Sequence, residues 1–514
     1  MQQRSPLQNF LRKRRLHIFL NGLSMAASTF ILCTCGVATE QDAPATPTKH
    51  IIVTSENWGD LYNAHTTVAV LDTKNGKENW HRQQQGDGGF LKSGLSVASN
   101  GVLYTVENQV VAAPTPDPNE VSTAQDITVP GGAQSAATAT PDPNKAPTAT
   151  PGPNKAPTGF ISAQRLNDGK QLWQAHIGFN PSTPLVHDDV VYVSTFEGFN
   201  QKHPYAFNSH DGKQLWSTVF PGEFFDTLQL ANGNLYVLSN QICLNMCDAV
   251  ALFSFDAASG KLIWHQKVPS SSEQNSFLIS KHIVFLAIKD NTNALYIYDT
   301  TSGKKLAQYT AADIPTIIGD AVYAILLDRK DENDPGKYTL ATLDSGNGHV
   351  LRRTVIENVT LMTHDDSAFY GLKTRVVGEK TIVSKGATGN APIYAYSLVA
   401  LRMTDGQHLW ETSLPKPVRN LTFSNGVLYG NTITLLDNSG EQEMTLFALN
   451  ARNGTERWQK SYQIHGDPRY SFHLDNDILY AVGSSNTLLA INVRDGSLQW
   501  QKQTDGAVIY VSTA

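Results

Sequence analysis

Cysteine is scarce in this chain and charge is thin. Four cysteines stand among 514 residues, and Asp, Glu, Lys and Arg together make up 17%. A small disulfide-dense scaffold is thereby excluded. The formal net charge is −6, and beyond the N-terminal segment no strongly basic patch appears, so nucleic acid is a poor partner on electrostatic grounds. No helix-period segment of any length follows residue 32. Catalytic signatures are missing as well: no G-x-S-x-G, H-E-x-x-H or P-loop occurs, and the fifteen His are scattered. One acidic loop, Asp328 to Lys337, places Asp331, Asn333 and Asp334 before Gly336. It fails as a calcium loop, because Pro335 falls where a ligand belongs and Thr342 where a bidentate Glu is needed. No catalytic residue, metal site or cofactor is therefore expected. The 40% hydrophobic content is nevertheless enough to bury a large core.

What the chain does have is a recurring phrase: a short apolar strand, a turn containing Gly, and Trp four residues after the Gly. It ends at Trp80, Trp173, Trp216, Trp264, Trp410, Trp458 and Trp500, and neighbouring copies such as those at Trp216 and Trp264, or Trp458 and Trp500, lie 42 to 48 residues apart. Gly303 with Ala307 and Gly348 with Arg352 hold the same slot without Trp, giving nine positions in all. A period of this size means a stack of like supersecondary units. Within each period lies a second phrase, a turn followed by an aromatic-bearing strand, as in NGVLYTV at Asn100, NGNLYVL at Asn232 and NGVLYGN at Asn425. Asn-Gly supplies the positive φ angles of tight hairpins, and alternating Val, Leu and Tyr suit a pleated sheet. The reading is four short antiparallel strands per unit.

A unit of that size cannot bury both faces alone. Packing successive sheets around an axis and closing the ring solves this, which is a β-propeller; an open solenoid is the alternative. The chain ends favour closure, since 50–80 supplies a unit lacking its first strand and 506–513 supplies a strand after the last unit. About eight blades are expected, from nine repeat positions counted. Trp58 alone falls outside the repeat slot and is read as partly buried or at a rim. The connection from Val376 to Pro392 is read as an elongated hairpin or rim loop.

The N-terminus reads as a targeting segment. Arg12 to Arg15 precede an apolar run from Leu16 to Leu32, ending in Leu-Cys-Thr-Cys-Gly. Residues 1–35 are expected to be a signal peptide with a lipobox-like end, with Cys35 lipidated; an uncleaved anchor and plain secretion are the alternatives. Residues 36–49 form a polar tether and 50–514 the propeller body. Residues 113–158 are Pro- and Thr-rich, contain the tandem TATPDPNKAP and TATPGPNKAP, and are read as a disordered loop insertion. In an exported body, Cys243 and Cys247 are read as a loop-closing disulfide, with free thiols and metal or redox chemistry as alternatives.

The repeats resemble those of the pyrroloquinoline-quinone-repeat (PQQ-like) propellers, a family that includes outer-membrane assembly lipoproteins. The resemblance spans nearly all of the chain after residue 50 apart from the insertion. It implies that each repeat Trp docks against a neighbouring blade. The quinone-dependent alcohol dehydrogenases of this family carry adjacent cysteines, unlike Cys243 and Cys247, and no motif here places calcium ligands. The resemblance thus implies a non-enzymatic, membrane-anchored scaffold facing the periplasm or cell exterior, with protein or peptide clients. A quinoprotein-type dehydrogenase binding pyrroloquinoline quinone in its channel is the alternative.

Overall fold

The computed structural model describes residues 50–57, 65–85, 95–109, 158–178, 181–197, 201–218, 220–221, 225–239, 250–268, 275–289, 293–311, 314–328, 337–356, 359–384, 387–436, 441–465, 472–484 and 486–514. These residues form nine antiparallel sheets and no helix. Eight sheets take four consecutive strands each: blade 2 lies within 96–177, blade 3 within 185–217, blade 4 within 225–268 and blade 5 within 276–310. Blade 6 lies within 316–355, blade 7 within 359–414, blade 8 within 418–465 and blade 9 within 472–503. In blade 3 the short strand Phe220–Pro221 also pairs with the third strand. Blade 1 is composite. Its second to fourth strands are His50–Asn57, His65–Asp72 and Glu78–Gln85, and its first is the C-terminal Ala507–Thr513. The nine blades correspond to the nine Gly-anchored positions of the sequence, including the two without Trp.

Apolar side chains form nine clusters, one at each joint between adjacent blades. Strand alternation explains this. Each blade stands with a face toward each neighbour, so both sides of its middle strands are apolar, as in the fully buried Ile283–Ile288. A joint between blades 9 and 1 is among the nine, so the ring is closed. The edges at the ends of the chain vanish into it: Ile51 pairs with Thr513 and Val53 with Val511.

The two ends of the barrel-like stack differ. First-to-second and third-to-fourth connections emerge on one end and are tight turns. Asn100-Gly101, Asn232-Gly233 and Asn425-Gly426 each hold positive φ at both central residues, the geometry that suits right-twisted hairpins. Second-to-third and fourth-to-first connections emerge on the opposite end. Every connection that extends beyond the described residues does so there.

Candidate functional face

The repeat slot is a joint device. Each of the seven slot Trp rings lies against the next blade and its Nε1 donates to a main-chain carbonyl there: Trp80 to Leu166, Trp173 to Ser209, Trp216 to Ala257, Trp264 to Thr300, Trp410 to Ala451, Trp458 to Val493, and Trp500 across the closure to Thr73. The ring rests on the repeat Gly of that blade. A Cβ at Gly260 would lie 2.4 Å from the Trp216 ring, and one at Gly76 would lie 2.6 Å from Trp500. Glycine is required twice over, since φ at Gly260 is +70°. At the two slots without Trp other side chains bridge the blades. Tyr309 Oη donates to the Gly348 carbonyl at 3.1 Å, and Arg352 Nη1 to the Thr404 carbonyl at 2.6 Å. Sequence reasoning placed Arg352 in its slot but not the carbonyl it reaches, and it missed Tyr309, which lies two residues beyond the Ala307 slot.

At the long-connection end blade 7 departs from the repeat. In blade 7, Ala368–Ser384 and Ala387–Arg402 pair along their whole length, whereas the outer strands of the blade pair with them only as far as Lys373 and Tyr396. Residues 374–384 and 387–395 therefore project as a two-stranded ribbon with both edges unpaired by this blade. Its base is pinned by Lys373, whose Nζ donates to Glu411 at 3.0 Å. Burial pushes the Glu411 carboxyl up, but the bond from Lys373 outweighs it and the group is held below its ordinary value. A register shift between Val376 and Gly378 bulges Val377 outward. Val376 and Val377 are 62% and 60% exposed, and Leu435 at the same end of blade 8 is 70% exposed. Tyr394 and Ile393 are exposed beside them on the ribbon.

A second irregularity sits at the joint of blades 1 and 2, the smallest apolar cluster of the nine. Polar groups occupy the rest of that joint. Arg82 Nη2 and Glu107 Oε1 are 2.8 Å apart and mostly buried. Burial raises the Glu107 carboxyl above its ordinary value, and the Arg82 charge offsets that only in part. Thr105, Ser162 and Gln164 surround the pair. Residues 110–157 leave and rejoin the blade at this end, beside the Gln109–Thr158 pair.

Of the residues singled out in the sequence, Cys35, Cys243, Cys247 and Trp58 lie outside the described residues, as do 36–49 and most of 113–158. Among the described residues no group of three or more His, Cys, Asp or Glu is arranged to hold a metal. No helix among them is long and apolar enough to cross a membrane.

A nine-fold β repeat with Gly-seated Trp joints is the setting in which the family comparison is decisive. The family model described as outer membrane protein assembly factor BamB matches residues 158–331 and 338–508. The chain belongs to that family. Among solved structures, BamB from Moraxella catarrhalis is similar at 15% identity, over 63% of this chain and 85% of that one, with a TM-score of 0.38. Quinohemoprotein alcohol dehydrogenase from Comamonas testosteroni matches at 12% identity over 63% and 67% of the two chains, with a TM-score of 0.37. The dihydro-heme d1 dehydrogenase NirN matches at 10% identity over 93% and 77%, with a TM-score of 0.45. No curated protein matches the chain significantly. Membership of the BamB family rests on the family-model match.

Proposed function

We propose that this chain is a non-enzymatic extracytoplasmic scaffold that holds protein or peptide clients on its long-connection end and is tethered to a membrane through lipidated Cys35. The observation that carries the reading is the asymmetry of the two ends. One end is a near-uniform set of tight turns, and the other gathers every long connection together with the exposed Val376, Val377 and Leu435. Exposed apolar side chains of this size on a projecting ribbon cost solubility unless a partner covers them. The strand edges of residues 374–384 and 387–395 suit main-chain pairing with an extended client segment. Family membership supports an assembly role in general terms, since the matching model bears the name of an assembly factor. The acidic net charge argues against nucleic acid as a partner.

The test is site-specific photocrosslinking in intact cells. A crosslinker at Val377 or Leu435 is expected to give discrete protein adducts, and one at Lys213, in a tight turn of the opposite end, is expected to give none. Adducts of equal yield at both ends, or at neither, sink the scaffold reading. Replacing Cys35 with Ser is expected to move the protein from the membrane to the soluble fraction. Calorimetric titration with pyrroloquinoline quinone and calcium separates the enzyme alternative, for which saturable binding is required.

A further inference from the structure

The projecting ribbon of blade 7 offers two strand edges, and they are not equivalent. The strand Ala387–Arg402 carries Pro392 in its projecting part, and proline has no amide proton to donate. Within a sheet proline is confined to outward-facing edge positions, so the missing donor is one that an added strand would need. Residues 374–384 contain no proline. An incoming strand is therefore directed to the edge of 374–384.

The charges of that edge are sorted by its bulge. Arg375 and Lys380 lie five positions apart, a spacing that puts side chains on opposite faces of a regular strand. The extra residue Val377 returns them to one face. Arg375 pairs with Ala395, Gly378 with Ile393 and Lys380 with Ala391, and residues 395, 393 and 391 share a face because they are every second position of the neighbouring strand. Glu379, the one carboxylate between residues 374 and 395, pairs with Pro392 on the other face, where Asn390 Nδ2 donates to it at 3.2 Å. Arg375 lies 4.0 Å from Glu411, a carboxylate that already accepts from Lys373. Arg375 and Lys380 are both exposed, so this face of the free edge is positive. The opposite face begins with Val376, exposed beside its cross-strand partner Tyr394.

We propose that the 374–384 edge selects an extended client segment with carboxylates at positions i and i+4 and an apolar residue at i+3, added as an antiparallel strand. The carboxylates then stand beside Lys380 and Arg375, and the apolar side chain beside Val376. The client spacing is four rather than five because the added strand, like residues 391–395, has no counterpart of the bulged Val377. This inference rests on the scaffold reading and names the chemistry of its client. A second copy of this chain fits poorly at the same edge. Self-pairing centred on Gly378 sets Arg375 against Lys380, and centring it on Glu379 or Lys380 sets that residue against itself.

Fluorescence anisotropy on the full-length chain in detergent, with the labelled and end-blocked peptide TETYVET as the probe, tests the edge. Saturable binding is expected. TETYEVT has the same composition but carboxylates three apart, hence on opposite faces, and is expected to bind about tenfold more weakly, while TKTYVKT does not bind. Arg375→Gln combined with Lys380→Gln is expected to weaken TETYVET about tenfold with an unchanged melting temperature. Of two forms of TETYVET methylated on alternate main-chain amides, one is expected to lose binding, because alternate amides of an added strand face the ribbon. The proposal is overturned by an absence of TETYVET binding, by equal affinity for the two acidic peptides, by binding that the double variant leaves unchanged, or by binding that survives methylation of either set. Discrete adducts at Val377 in cells together with equal peptide affinities overturn the strand selection alone and leave the scaffold reading standing; adducts of equal yield at both ends of the ring sink the scaffold reading itself.

Discussion

A single glycine and a single indole define each of the seven Trp joints, and the two cannot be exchanged for anything bulkier or smaller without loss. Trp216→Ala removes a buried ring and its bond to the Ala257 carbonyl, leaving that oxygen the longer bond from Tyr192 Oη, and is expected to cost about 3–5 kcal/mol. Gly260→Ala puts a methyl group into the same ring at a positive φ, and is expected to cost about 1–3 kcal/mol. Urea denaturation midpoints read both, and a change below about 0.5 kcal/mol in either variant contradicts the joint model. The Gly–Trp spacing was legible in the sequence because both belong to one hairpin. The partners of Trp are in the next blade, so that half of the device was not legible. For the same reason the partners of Tyr309 and Arg352, which bridge the two joints without Trp, were not legible, although Arg352 itself stood in the slot by its spacing from Gly348.

Two elements depart from the repeat, and they depart in opposite ways. The blade 7 ribbon adds length without adding core. Replacing residues 376–394 by Asn-Gly closes the Arg375–Ala395 pair with a two-residue hairpin turn, and is expected to leave the melting temperature within a few degrees while removing the client adducts. A large fall in melting temperature contradicts the reading of this ribbon as a binding element. Its hairpin character was legible from the sequence between Val376 and Pro392; the exposure of Val376 and Val377 was not, since Val pairs are ordinary core residues elsewhere in the chain. The joint of blades 1 and 2 does the reverse and replaces core with a buried ion pair. Arg82→Met leaves Glu107 uncompensated and is expected to cost about 2 kcal/mol, whereas Glu107→Gln in the same background recovers part of that loss. A double-mutant cycle on thermal or urea melts checks the coupling, and purely additive effects exclude a direct pair.

At the scale of the ring, stability depends on a seam held without a peptide bond. The closing strand Ala507–Thr513 pairs with His50–Asn57, Trp500 reaches Thr73, and His473 lies 3.1 Å from Thr513 Oγ1. Burial of His473 holds its imidazole below the ordinary value of about 6.5, against the opposing pull of Asp475. The folded state therefore favours the neutral ring. Its contribution is complete above the ordinary value and is lost as pH falls below it toward the depressed folded value. The wild type is expected to melt at lower temperature at pH 5.5 than at pH 7.5, and His473→Gln is expected to narrow that difference. An unchanged difference removes His473 from the account of acid sensitivity. Deleting residues 507–514 exposes the edge of His50–Asn57 and is expected to abolish a single cooperative melt.

The sequence by itself determined the four-stranded unit, the positions of the hairpin turns, the nine repeat slots and the complementarity of the chain ends. The first three depend on residues a few positions apart, whose alternation and turn chemistry act within one hairpin, and the complementarity of the ends was legible because each end is a fragment of that same unit. Only the tertiary structure decided what meets across a joint: which carbonyl receives each indole, and which carbonyls Tyr309 and Arg352 reach at the two slots without Trp. It also decided that the long connections share one end, since an antiparallel blade returns its second-to-third and fourth-to-first connections to the same side. Contacts between blades join residues tens to hundreds of positions apart, and no local pattern of hydrophobicity encodes them.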